Sequence, residues 1–131
     1  MREVTGFDVN DTGLKIHVLD EPGHGGANHV YGISGMDFTR NQAAIDAPDD
    51  RPEGEASILF QCGTIPENGV NGVTQEALLA IVIDRLRSFQ AGKFACRENA
   101  LALTKLEEAV HWLNHRTRTR LLRGVEGQHK V

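Results

Sequence analysis

Residues 74–122 read TQEALLAIVIDRLRSFQAGKFACRENALALTKLEEAVHWLNHRTRTRLL, and this stretch decides the fold. Thr74 is a helix-capping residue type, Glu76 falls in the first turn behind it, and Gly92 offers a stop. Between them lie Ala77, Leu78, Leu79, Ile81, Val82, Ile83, Leu86 and Phe89. At roughly 100° per residue they cover about half of the helix circumference, wider than the stripe of a helix covered on one side. That helix needs two covers: the next helix on one side, and the sheet or a second protomer on the other. The spacing predicts a second helix over 94–122, with Cys96, Leu103, Leu106, Val110, Leu113 and Leu121 on one stripe and Gly124 as terminator. At 1.5 Å per residue it is about 40 Å long. A rod of that length is hard to pack wholly inside so small a domain, so part of its stripe is expected to pair with another chain.

Upstream the period changes. Leu14, Ile16 and Val18 alternate with Lys15 and His17, the pattern of a half-buried strand over 14–19. A loop dense in Gly and Pro, EPGHGGAN over 21–28, separates it from a second strand over 29–34. The apolar run SILFQC predicts a third strand over 57–62, and the turn-rich 63–73 leads into the helices. The segment 41–55 is polar and acidic, with two prolines and no aromatic residue, and is expected to be an exposed, mobile loop. The fold class is therefore α+β. A small antiparallel β-core over 1–73 precedes a helical hairpin over 74–131, the whole forming one oligomeric domain.

The chain has 131 residues and a net charge of -4, enough length for one core without a metal or disulfide staple. Cys62 and Cys96 form no paired motif and sit among apolar neighbours, which predicts two buried thiols in a reducing cytosol. No run of eighteen apolar residues and no apolar leader near Met1 occur, which argues against secretion and membrane spanning. The charge is uneven: residues 1–73 carry -8 and residues 74–131 carry +4. The basic end is the place to look for an anionic partner.

Signatures of catalysis are missing: there is no G-x-S-x-G, no H-E-x-x-H and no Walker loop. The G-H-G-G around His24 is followed by a strand, so it lacks the helix N-terminus that phosphate loops use. His17, His24 and His29 have no further ligand at zinc spacing and read as surface histidines. Three features remain. Phe89 and Phe94 flank the turn between the helices, where aromatic rings either stack on a purine or staple a helix end. Asn99 falls within the apolar stripe of the second helix, where it either fixes helix register or reads the edge of a base. Arg116, Arg120 and Arg123 share one helix flank at i, i+4 and i+7, with Arg118 on the other. Forked guanidiniums in a row suit a phosphate or pyrophosphate, and they equally complement a helix dipole.

The run LFQCGTIPENGVNGV, continuing through TQEALLAIVIDRLRSFQAG to FACRENALALTKLEEAVHWLNHRTRTR and RGVEG, resembles the phage-encoded Thoeris anti-defence sponges, whose hairpin is related to that of the anti-CBASS cyclic-nucleotide sponges. The similarity is close over 57–127 and holds only in outline before that. The resemblance implies a β-core with two long antiparallel helices, assembled as dimers or hexamers in the cytoplasm of the infected bacterial host. It implies binding without cleavage of glycocyclic ADP-ribose signals, with cyclic di- and trinucleotides as further ligands, no cofactor, no metal and no catalytic residue. By position it assigns ligand stacking to Phe89, base reading to Asn99 and phosphate binding to Arg116 and Arg120, with Arg123 beside them. Relatives often read RGVEGT where Gln128 stands here, which puts a hydroxyl-using pocket in doubt. A sponge needs affinity and no transition-state stabilisation, consistent with the missing catalytic groups. Three other readings compete. A nucleic-acid-binding regulator would use the Arg-rich helix, although the acidic pI of about 5.8 speaks against a broad basic face. The others are a hairpin that only oligomerises and an enzyme degrading the same signal.

Overall fold

The computed structural model describes residues 1–47 and 53–122. The chain divides into two compact units, Met1–Cys62 and the segment from Gly63 onward. The first holds four strands, β1 (Arg2–Glu3), β2 (Lys15–Val18), β3 (Val30–Ser34) and β4 (Glu55–Leu59), in an antiparallel sheet of order β1-β2-β3-β4. The second holds α2 (Ile65–Asn68), α3 (Gln75–Gln90) and α4 (Arg97–Leu122). The α+β architecture of a small antiparallel sheet followed by long helices is the one expected from the sequence.

The β2–β3 hairpin pairs Lys15 with Ser34 and Val18 with Tyr31, a register that turns Ile16 and Val18 to one face. Val18 is buried, with 1% of its surface exposed. The long loop between these strands is closed by Asp20. Its carboxylate accepts the N–H groups of His29 (3.0 Å) and Val30 (3.1 Å), while the Asn28 amide donates to the Asp20 carbonyl at 2.8 Å. Partial burial works to raise the Asp20 pKa, but the hydrogen bonds from Val30 and His29 prevail and hold the carboxyl below its ordinary value. His29 corrects the reading of three surface histidines. It is 8% exposed, because the loop folds back until its ring lies 3.4 Å from where a Cβ on Gly23 would stand. Tyr31 meets Phe60 edge to face at 5.6 Å.

Other boundaries differ from expectation for physical reasons. β4 runs over Glu55–Leu59 instead of 57–62, because its register on β3 begins with Ser34 opposite Glu55 and ends with Val30 opposite Leu59. One more bond, from Phe60 N–H to the His29 carbonyl at 2.8 Å, finishes the ladder. The apolar run marks where side chains can be covered, whereas the ladder is set by the partner strand. β1, two residues long and paired with Val18 and His17 of β2, is too short to show a period. Part of the acidic segment is ordered: Asn41 accepts the N–H of Ala44 (3.2 Å) and caps α1 (Gln42–Asp46). Residues 48–52 of that segment lie outside the described residues, as do Arg123, Gly124 and Gln128.

In the helical unit Thr74 caps α3 as expected, its hydroxyl accepting the N–H of Ala77 at 3.2 Å. α3 packs on α4; Ile83 is buried, and Leu79 and Leu86 of α3 and Leu103, Leu106, Val110 and Leu113 of α4 are half-buried. Across the same pair, Arg87 and Glu107 form an ion pair of 2.7 Å at the surface. The two thiols are not core residues as expected; both are exposed. Cys62 follows the end of β4, and Cys96 stands just ahead of α4, where its sulfur accepts the N–H of Asn99 at 3.4 Å. Apolar neighbours in sequence do not bury a residue that sits at an element's end.

The expectation that α3 is apolar on two faces also has a structural counterpart. Ile83 is buried, but Ile81 is 60% exposed and Val82 and Phe89 are exposed as well. On α4, Leu101 and Trp112 are exposed on the side away from its half-buried stripe.

Candidate ligand-binding site

The turn between α3 and α4 is built by Gln90. Its side-chain carbonyl accepts the N–H of Cys96 (3.0 Å) while its amide donates to the Cys96 carbonyl (3.1 Å), so one side chain stands in for a strand partner across the turn. Within this closure Phe89 and Phe94 meet edge to face, with ring centroids 6.4 Å apart. Both rings remain exposed. The guanidinium of Arg85 lies over the Phe89 ring, 5.5 Å from its centroid. Asn99, three positions into the helix, is half-buried on the same stripe as Leu103 and Leu106. Phe89 and Asn99 thus belong to the turn end of the hairpin.

Arg116 and Arg120 belong to the other end. Arg116 is exposed and Arg120 half-buried, and no acidic residue follows Glu108 among the described residues. Along the described part of α4 after Glu108 the charged residues are therefore all arginines, the residue type best suited to an anion. Arg118 is exposed, and Arg123 is outside the described residues.

The structure therefore joins these groups in two pairs and keeps the pairs apart. α4 is an uninterrupted helix from Arg97 to Leu122, so Asn99 and Arg116 are about 26 Å apart along its axis. One hairpin does not bring an aromatic ring, an amide and two guanidiniums around one small molecule. Arg85 was missed by sequence reading, although its spacing of i, i+4 from Phe89 was a usable signal. Among the described residues no group of three or more His, Cys, Asp or Glu is arranged to hold a metal, and no helix is long and apolar enough to cross a membrane.

A small antiparallel sheet followed by a two-helix hairpin, with an aromatic pair at the turn and arginines along the far end of α4, defines a helical-hairpin protein. Residues 53–118 match the family model of the Acb2/Tad1 hairpin domain, half of the chain, and the chain belongs to that family. It is 57% identical over 75 residues to "Thoeris anti-defense 1" of Bacillus phage SBSphiJ7, an alignment covering 57% of this chain and 53% of that protein. The chain thus spans about half the length of the curated relative it matches. The family resemblance read from the hairpin sequence is borne out.

Proposed function

We propose that this protein is a viral immune-evasion sponge. It binds glycocyclic ADP-ribose, the nucleotide signal of TIR-based Thoeris defence, and holds it without cleavage in the cytoplasm of the infected bacterium. The observation that carries this reading is the family match over 53–118, the same segment that presents Phe89, Asn99 and Arg116. The name of the phage relative supports the defence system concerned. Such a ligand contains one adenine, two riboses and a pyrophosphate. Adenine stacks on Phe89 and is read by the Asn99 amide, and the pyrophosphate is held by Arg116 and Arg120, with Arg123, which lies outside the described residues, as the third candidate from the sequence. Cyclic di- and trinucleotides are further ligands of the same chemistry.

The separation along α4 makes the site a property of two chains. A second copy running antiparallel brings its basic end to the turn end of the first, and two such sites arise by symmetry in a homodimer or in dimers within a hexamer. Exposed Ile81, Val82 and Leu101 give that copy an apolar surface to cover.

A capture-and-release assay tests the proposal. The protein is incubated with glycocyclic ADP-ribose isomers and a panel of cyclic oligonucleotides, filtered, and then heat-denatured, with the small molecules analysed at each stage. Depletion of a signal from the filtrate and its return unaltered on denaturation is the expected result. A signal returned as a hydrolysis product would make the protein an enzyme, and signals left free in the filtrate would refute the reading.

A further inference from the structure

Trp112 is not used by the site above. It is the only tryptophan of the chain and is 63% exposed in the middle of a helix, an unusual place for the largest apolar side chain. Its ring is nevertheless held. His111 lies against it at 5.4 Å and 75°, and His115 at 5.7 Å and 86°, while the two imidazoles stand nearly parallel to each other, 6.5 Å apart at 19°. Two ring contacts fix the indole without covering it, so its ordering entropy is spent before any ligand arrives. One helical turn further on, at i+4 and therefore on the same flank, stands exposed Arg116. Side chains at that spacing have Cβ atoms about 6 Å apart, a separation suited to a base and the 5′-phosphate of one nucleotide.

We propose that Trp112 and Arg116 form a nucleotide half-site within a single chain, the indole stacking on a purine base and the guanidinium holding that nucleotide's phosphate. The proposal rests on the reading of Arg116 as an anion-holding residue. Charge complementarity favours a small anion over an apolar partner, because the flank of α4 that runs from the indole to Arg116 carries no acidic residue after Glu108 among the described residues. A stacked aromatic ring beside a fixed cation is also the arrangement that gives base affinity with little sequence or isomer preference.

The single indole reports on its own occupancy. The test titrates the intact protein with adenosine 5′-diphosphate while following tryptophan emission, with equilibrium dialysis of Trp112→Ala, Trp112→Phe, Arg116→Ala and, as a control at an exposed aromatic residue of the sheet unit, Phe7→Ala in parallel. The expected result is saturable quenching that Arg116→Ala abolishes and Phe7→Ala leaves intact. Affinity by dialysis falls about tenfold or more in Trp112→Ala, with most of it restored in Trp112→Phe. Trp112 is exposed, so the Ala variant is expected to fold, and circular dichroism checks this. Unchanged emission with or without bound nucleotide overturns the proposal. So does emission that responds only to protein concentration, which would mark the face as an interface between copies. Capture of glycocyclic ADP-ribose with an unresponsive indole refutes the half-site alone. Quenching by adenosine 5′-diphosphate without glycocyclic capture refutes the sponge reading alone.

Discussion

If the ligand site draws one half from each of two chains, two inactive variants must repair each other. One variant carries Phe89→Ala and Asn99→Ala, which empties the turn end; the other carries Arg116→Ala and Arg120→Ala, which empties the basic end. Removing a charge-assisted hydrogen bond costs roughly 1.5–3 kcal/mol, on the order of ten- to a hundredfold in affinity, so each double variant loses binding at micromolar ligand. The arithmetic of the mixture follows from the separation along α4. When the two variants are mixed equally and allowed to exchange subunits, a site is intact only if its turn end comes from the second variant and its basic end from the first. Each condition is met half of the time, so about a quarter of the wild-type sites return, in a dimer or in any closed assembly built from the same paired contact. Glycocyclic ADP-ribose is titrated by equilibrium dialysis at protein concentrations well above the dissociation constant, where the end point counts sites. A mixture with no more capacity than its separate components would refute the two-chain site. Full capacity in either double variant would refute the residue assignment.

Three further outcomes concern the fold. Thr74→Ala removes the hydroxyl that accepts the Ala77 N–H and lowers stability by about 1 kcal/mol in urea denaturation; an unchanged midpoint would show that the cap is replaced by water. Gly35→Ala places a Cβ 2.6 Å from the Gly13 carbonyl oxygen at a φ of +100°, and is expected to destabilise the sheet unit by about 1–3 kcal/mol, read as a drop in Tm. The Asp20 carboxyl is held below the ordinary aspartate value of 3.8, so its contribution is complete above that pH. It is lost as the pH falls through the lower folded-state value. Asp20→Asn should lower stability at neutral pH and flatten the acid limb of the Tm profile, and an identical acid limb in the variant would show that other carboxyls control it.

Much of the fold was legible in the sequence because its strongest signals are local. The cap at Thr74, the stop near Gly92 and the alternation through Ile16 and Val18 each act within a few residues, and each appears where expected. What escaped depends on partners distant in sequence. β4 starts at Glu55 because β3 sets the register, and His29 is buried because Asp20 and Gly23 fold a loop around it. Cys62 and Cys96 were misjudged because apolar neighbours indicate an apolar segment but not whether the segment ends at that residue. For the candidate site, Phe89, Asn99, Arg116 and Arg120 could be singled out from spacing and chemistry. Their division into two distant pairs was already implied by the helix expected over 94–122, and the continuous α4 keeps the pairs apart.

The order in which the elements pair bears on how quickly the chain becomes useful after synthesis. In the sheet unit each strand pairs with the one that follows it, and in the helical unit α3 packs on α4. Contacts close in sequence need little loop closure, and folds built from them reach the native state in the microsecond to millisecond range. The sheet unit can complete itself while the helices are still being made, because translation adds only about 5–20 residues per second. In the proposed two-chain site, assembly between chains is then the concentration-dependent step, so the time to full capacity of such a site would be set by the rate of synthesis and not by a folding barrier within each chain.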